Sequence, residues 1–131
     1  MTYFENLGAV EYDGLISGIT PEPKTTGGTI RKLSAAATLK RGTILAKSSG
    51  SAGDGKLVIL GSTAASNETL TPDCILADDI DVGTAADVNA AVYDMGCFDP
   101  EKLTVKTGYT LTTGDKDTLR EKGIYLVAKN A

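Results

Sequence analysis

The sequence predicts an all-β protein: mainly a sandwich- or barrel-like β-domain with one or two very short helices and an extended N-terminal arm. Three observations carry that expectation. Short apolar runs rich in β-branched residues recur along the chain and end at Gly, Asp or Pro. Glycine supplies 15 of the 131 residues, which interrupts the chain too often for long helices. Helix-start signals are confined to two short stretches near the C-terminus.

Residues 1–28 are expected to form an extended arm and linker, and residues 29–131 the β-rich domain. Within the arm the apolar residues Tyr3, Phe4, Leu7, Val10, Tyr12, Leu15, Ile16 and Ile19 follow no sustained period. Thr20 to Gly28 then brings two prolines and two glycines, which punctuate rather than build. Apolar groups gain most by burial, so these eight residues are the candidate contact residues, against the rest of the chain or against a partner.

Beyond the arm, Thr29–Leu33 is a candidate strand or the approach to one. Ser34–Thr38 links it to a turn at Leu39–Gly42. Thr43–Lys47 is β-branched and apolar, a strand, and Lys56–Leu60 is another. The small polar stretch Ser48–Gly55 between them reads as a hairpin loop. Ser66–Pro72 reads as a loop and Asp73–Ala77 as a strand, ended by the acidic run Asp78, Asp79 and Asp81. Ala85–Cys97 is one long strand. Both of its faces are small or apolar, so alternation does not say which is wet. Asp99 followed by Pro100 signals a short helix start. Thr118 to Glu121 fits a capping box, with Gly123 as the left-handed stop. Ile124–Val127 closes the chain as a strand, in which Tyr125 is expected to be core.

The 41% apolar fraction includes only 5% aromatics and no Trp, so the core rests on aliphatic side chains. A net charge of −4 offers no basic footprint for nucleic acid. No apolar run reaches the roughly 20 residues that span a bilayer. The first residues lack the basic start of a signal peptide, and the chain is expected to be made and kept in a cytoplasm. There Cys74 and Cys97 are expected to be free, buried thiols, and Asn67-Glu68-Thr69 an ordinary loop rather than a glycosylation site.

The chain has no histidine, which removes the commonest general base and metal ligand. Ser-His and Cys-His pairs are thereby excluded. Gly50 to Lys56 has the spacing of a phosphate-binding loop. Leu57 stands where that motif needs Ser or Thr, and a strand rather than a helix follows. Asp78, Asp79, Asp81 and Asp87 miss the spacing of a calcium loop. Asp94 and Asp99 lack anything to mark them as a hydrolytic pair. Neither catalysis nor a cofactor nor a metal is expected. A small β-domain binding a glycan or other small ligand is the alternative, and it needs exposed aromatic platforms, for which Tyr93, Tyr109 and Tyr125 are the candidates.

Four segments in order resemble the tailed-phage head decoration proteins related to the lambda capsid-stabilising protein. They are Leu39–Leu45 (Leu-Lys-Arg-Gly-Thr-Ile-Leu), Ile75–Asp79 (Ile-Leu-Ala-Asp-Asp), Val92–Phe98 (Val-Tyr-Asp-Met-Gly-Cys-Phe) and Leu119–Leu126. The resemblance covers roughly residues 30–127, with Cys74 where a glycine is frequent and a fuller strand at Leu57–Leu60 than the family suggests. It implies a non-enzymatic virion protein that joins the outside of an expanded capsid. Its implied partners are the major capsid protein and two further copies of itself, at local threefold axes. It implies that residues 1–28, with the eight apolar positions above, supply the capsid-binding arm.

Overall fold

In the computed structural model, residues 14–128 are described. Nine strands follow one another: β1 (Ile16–Gly18), β2 (Lys24–Ile30), β3 (Ala37–Leu39), β4 (Ile44–Ser49), β5 (Leu57–Ile59), β6 (Thr69–Leu76), β7 (Ile80–Val82), β8 (Val88–Phe98) and β9 (Ile124–Leu126). A 3-10 turn (Pro100–Lys102) and one helix, α1 (Thr113–Glu121), lie between β8 and β9. Seven strands share one sheet. Its path β8-β2-β5-β4-β6 returns to β8, which closes a five-stranded barrel. β3 and β7 form a separate antiparallel pair.

β8 organises the barrel. It pairs antiparallel with all of β2 on one edge, and with β6 at Tyr93 and Val92 on the other. Its last residues leave the ring and carry β1 on one side and β9 on the other. The ring is thinnest between β2 and β5, which meet at the single parallel pair Ile30–Leu57, extended by the Arg31 N–H donating to the Leu57 carbonyl at 2.9 Å.

Strand alternation divides the core in two. Leu45 of β4, Cys74 and Leu76 of β6, Val92 of β8, Ile30 of β2 and Leu57 of β5 form one cluster, a contribution from each ring strand, with Leu39 and Val82 from the β3–β7 pair. This cluster fills the barrel. Ile44 and Ala46, Val58, Ile75 and Tyr93 point the other way. They are covered by Leu15, Phe98, Leu119 and Ile124, which come from outside the ring. Neighbouring residues of β4 and β6 thus serve opposite cores, so both faces are dry over Ile44–Ala46 and Cys74–Leu76.

Several expectations change. Thr25 to Gly28 is strand, not linker, because β8 offers a partner for the whole of β2. A Cβ on Gly28 would lie 2.6 Å from Leu57 Cδ1, so a larger residue there makes the Leu57 side chain shift. Arg31 to Leu33 is not strand, and β3 forms where a plain link was expected. β6 starts at Thr69 and includes Pro72, tolerated next to an irregularity in the β4 register between Leu45 and Ala46. α1 begins at Thr113, capped by Thr112, whose side chain accepts from the Asp115 N–H while Asp115 accepts from the Thr112 N–H. Thr118 is mid-helix and donates to the Gly114 carbonyl. The stop at Gly123, φ +96°, is as expected, and so is Asp99 capping the 3-10 turn with Pro100 following it. Cys74 and Cys97 are free and buried.

Candidate functional site

Two surfaces stand out, one at the end of β8 and one along β2. At the first, β8 carries a strand on each edge. Ile16 pairs with Phe98 and Gly18 with Cys97 on one side, and Tyr125 pairs with Cys97 and Leu126 with Phe98 on the other. The Asp99 N–H donates to the Leu15 carbonyl at 2.8 Å, and the Val127 N–H to the Phe98 carbonyl at 2.9 Å. Close packing joins β1 to β8: a Cβ on Gly18 would lie 3.2 Å from Cys97 Sγ, and Ser17 Oγ lies 3.4 Å from the same sulfur.

Phe98 and Ile124 face the core here, which turns Tyr125 and Val127 outward. Among the described residues the exposed large hydrophobics are Ile19 (85% exposed), Tyr125 (38%) and Val127 (52%). All three lie on or next to the strands that flank the end of β8. Residues 1–13 join the described structure at this same end, through Leu15 and β1.

Of the eight candidate contact residues, Tyr3, Phe4, Leu7, Val10 and Tyr12 lie outside the described residues. Leu15 is 1% exposed and belongs to the core. Ile16 is half-buried against that core, and Ile19 is open to solvent. Tyr125 and Val127 are not among the sequence candidates, and Tyr125 is not core as expected. The signal is present in the sequence: with Ile124 and Leu126 inward, strand alternation sends their neighbours out.

The second surface is a cleft of about 540 Å³ where the β2–β5 seam opens. Thr26, Gly27, Gly28 and Thr29 line one wall, with Lys47, Gly55 and Leu57 opposite. Cys74 and Val92, both members of the barrel core, lie at its base, and Asp73 and Asp94 add two carboxylates. Burial pushes the Cys74 thiol up, helped by the charges of Asp73 and Asp94, so it stays protonated at neutral pH.

The remaining charged groups tie loops to strands. Arg31 binds Asp54 at 2.8 and 3.0 Å and Glu68 at 2.6 Å. Glu68 also accepts from Ser48 Oγ and from the Ala65 N–H at 2.9 Å. The Ala65 N–H, Ser48 and Arg31 together lower Glu68 to about 2. The Arg31 hydrogen bonds chiefly lower Asp54, also to about 2. Lys56 pairs with Asp87 at 2.5 Å. Asp79 accepts from the Arg41 N–H at 2.7 Å, and the Arg41 guanidinium lies over the Tyr93 ring at 5.4 Å and donates to its hydroxyl at 2.6 Å. Of the acidic residues singled out in the sequence, Asp79, Asp81, Asp87 and Asp99 are therefore structural partners, and the loop expected at Ser48–Gly55 starts at Gly50, because β4 runs to Ser49. Among the described residues no group of three or more His, Cys, Asp or Glu could hold a metal ion, and no helix is long and apolar enough to cross a membrane.

The sequence pattern of the family described as bacteriophage lambda head decoration protein D matches residues 8–124, all but the first seven and last seven residues. No curated protein matches the chain. The match runs through every ring strand, both cores and α1, so the chain belongs to the bacteriophage lambda head decoration protein D family and is a phage head decoration protein of the virion capsid.

Proposed function

We propose that this decoration protein binds the outer surface of the expanded capsid as a homotrimer at local threefold axes, bridging neighbouring major capsid protein subunits against the pressure of packaged DNA. The observation that carries the reading is the family match over residues 8–124. The exposed apolar groups at the end of β8 support it, since the described chain begins at Gly14, two residues before β1. In this reading Tyr3, Phe4, Leu7, Val10, Tyr12 and Ile19 contact the coat protein, with Tyr125 and Val127 flanking them. An extended arm adds a strand to an exposed sheet edge through its backbone, while its apolar side chains anchor it.

Ordering an arm costs affinity per unit of buried area. Three arms on one trimer offset that cost, because the first binding event raises the effective concentration of the other two. No catalytic role is proposed. The glycan alternative finds little support: Tyr93 lies 9% exposed beneath Arg41, the Tyr109 hydroxyl is bonded to Asp115, and among the described residues Tyr125 is the one exposed aromatic ring.

The test is negative-stain imaging of expanded, undecorated capsids mixed with the purified protein. Added density at the local threefold positions is expected, and capsids that stay bare at saturating protein would sink the proposal.

A further inference from the structure

The strand junctions of the ring are not closed by the same means. β2 follows β8 from Lys24 to Ile30, and β4 follows β6 from Ile44 to Ser49. β2 and β5 meet, among the described residues, at Ile30–Leu57 and at the Arg31 N–H bonded to the Leu57 carbonyl. So little backbone pairing leaves the joint to side chains, and charged side chains cross it twice. The first strap starts at Asp87, the residue before β8. One of its oxygens accepts from the Lys32 N–H, just past β2, at 2.8 Å, and the other pairs with Lys56, the residue before β5, at 2.5 Å. Lys56 and the Lys32 N–H hold the Asp87 carboxyl below its ordinary value. The second strap starts at Arg31, next to Ile30. Its guanidinium reaches Asp54, in the loop before β5, and Glu68, which Ser48 of β4 also holds. Behind the joint, the space that a Gly28 side chain would take is filled by Leu57 Cδ1, with the Val92 methyls 3.6 and 3.7 Å from the same point. Leu57 and Cys74, 5% and 1% exposed, both line the cleft and both belong to the inner cluster.

We infer that the β2–β5 joint is a gate in the barrel wall. β5 and its Leu57 side chain move off β2 locally while the β2–β8 ladder stays bonded, and the Asp87 and Arg31 straps hold the gate shut. Local opening draws on segments with few backbone bonds and few buried contacts, and this junction has the least backbone pairing in the ring. The straps are unequal. Lys56 and Asp87 are partly solvated, with side chains 37% and 24% exposed, and such a pair contributes little. The Glu68 side chain is 3% exposed, so removing Arg31 leaves a buried carboxylate without its cation, which costs more. The gate is a property of the barrel alone and draws on no part of the decoration reading.

The two native thiols supply the readout. Cys74 lies behind the gate, and Cys97, paired with Gly18 at the other end of β8, reports the rest of the fold. The full chain is labelled with N-ethylmaleimide at neutral pH, and each cysteine is followed separately by peptide mass spectrometry. Arg31→Met should label Cys74 about tenfold faster than wild type, and Lys56→Met about threefold faster. Cys97 should stay within about twofold in both. Lys40→Met removes the exposed Lys40–Asp79 pair, at 3.6 Å and outside the joint, and should change neither rate. Below the unfolding transition the Cys74 rate should vary little with urea, because a local opening exposes little surface. A Cys74 rate that stays at the wild-type value in both strap variants overturns the gate. So does acceleration of Cys74 and Cys97 in step, which marks general destabilisation, and so does a Cys74 rate that climbs with urea as steeply as global unfolding. If Arg31→Met does not fold, Lys56→Met, at a partly solvated side chain, decides alone.

Discussion

Leu15 separates two accounts of the N-terminal region, as arm or as fold. It lies 1% exposed in the cluster that covers the outer face of β4, β5 and β6, and its carbonyl holds the Asp99 N–H at 2.8 Å. Leu15→Ala keeps the backbone bond and removes the side chain. A fully buried Leu→Ala change costs about 3 kcal/mol, the sum of lost transfer free energy and the cavity left behind. For a domain of this size each kcal/mol moves the melting midpoint by roughly 4 °C, so the fall should be roughly 12 °C. Deleting residues 1–13, which the proposed arm reading assigns to contact with the coat protein, should leave the midpoint within about 2 °C. Deleting residues 1–28 takes Leu15, β1 and most of β2 as well and should prevent folding. Thermal unfolding followed by circular dichroism, paired with capsid co-sedimentation, reads both properties. If Leu15→Ala melts within about 2 °C of wild type yet loses capsid binding, Leu15 is a contact residue and the burial argument is wrong.

Gly123→Val should destabilise the domain by about 2 kcal/mol, since a β-branched residue at φ +96° is strained behind α1; an unchanged urea midpoint would refute the cap. Glu68 and Asp54 sit at about 2, against ordinary values of 4.5 and 3.8. Depressed carboxylates contribute stability that is full above their unfolded values and lost as pH falls through the folded ones. Urea midpoints should therefore drop between pH 5 and pH 2, and less steeply in Glu68→Gln; identical slopes would mean that the Arg31 network carries no linkage. Replacing Tyr125 and Val127 together by Ser should lower the midpoint by only about 4 °C, because both are partly exposed, at 38% and 52%, and belong to neither core cluster. The same double variant should weaken capsid co-sedimentation, and undiminished binding would remove this end of β8 from the contact.

Local chemistry makes much of the fold readable. Thr43–Lys47, Leu57–Leu60 and Ala85–Cys97 announce strands through β-branched and apolar residues between turn signals. Asp99-Pro100 and Gly123 announce caps because each has one favoured backbone role. What stays hidden depends on distant partners. Thr25 to Gly28 follows two prolines and ends in two glycines, which are depleted in strands; it is strand because residues 90–93 lie alongside it. α1 begins about one and a half turns before the Thr118–Glu121 pattern, because its capping box uses Asp115 and the later pattern fits by coincidence. At the candidate site, Ile19 is legible as an apolar residue with no period to bury it. Leu15 looks the same in sequence and is core, since one-dimensional spacing cannot tell a residue that folds back on β8 from one that does not. The aromatic character of Tyr125 suggests burial, although its position in the alternation points outward.

The double role of β8 has a mechanical consequence. One half of this strand lies in the barrel wall, bonded to β2 and β6, and the other half anchors β1 and β9. A pull on the chain at Gly14 enters through β1, passes into the last residues of β8 and spreads along that strand into the ring. Val92 in the inner cluster and Tyr93 in the outer one are adjacent along it, so neither core can yield without loosening the other. Tension applied at Gly14 thus loads the β1–β8 pairing at Ile16 and Gly18 first and reaches the ring through β8.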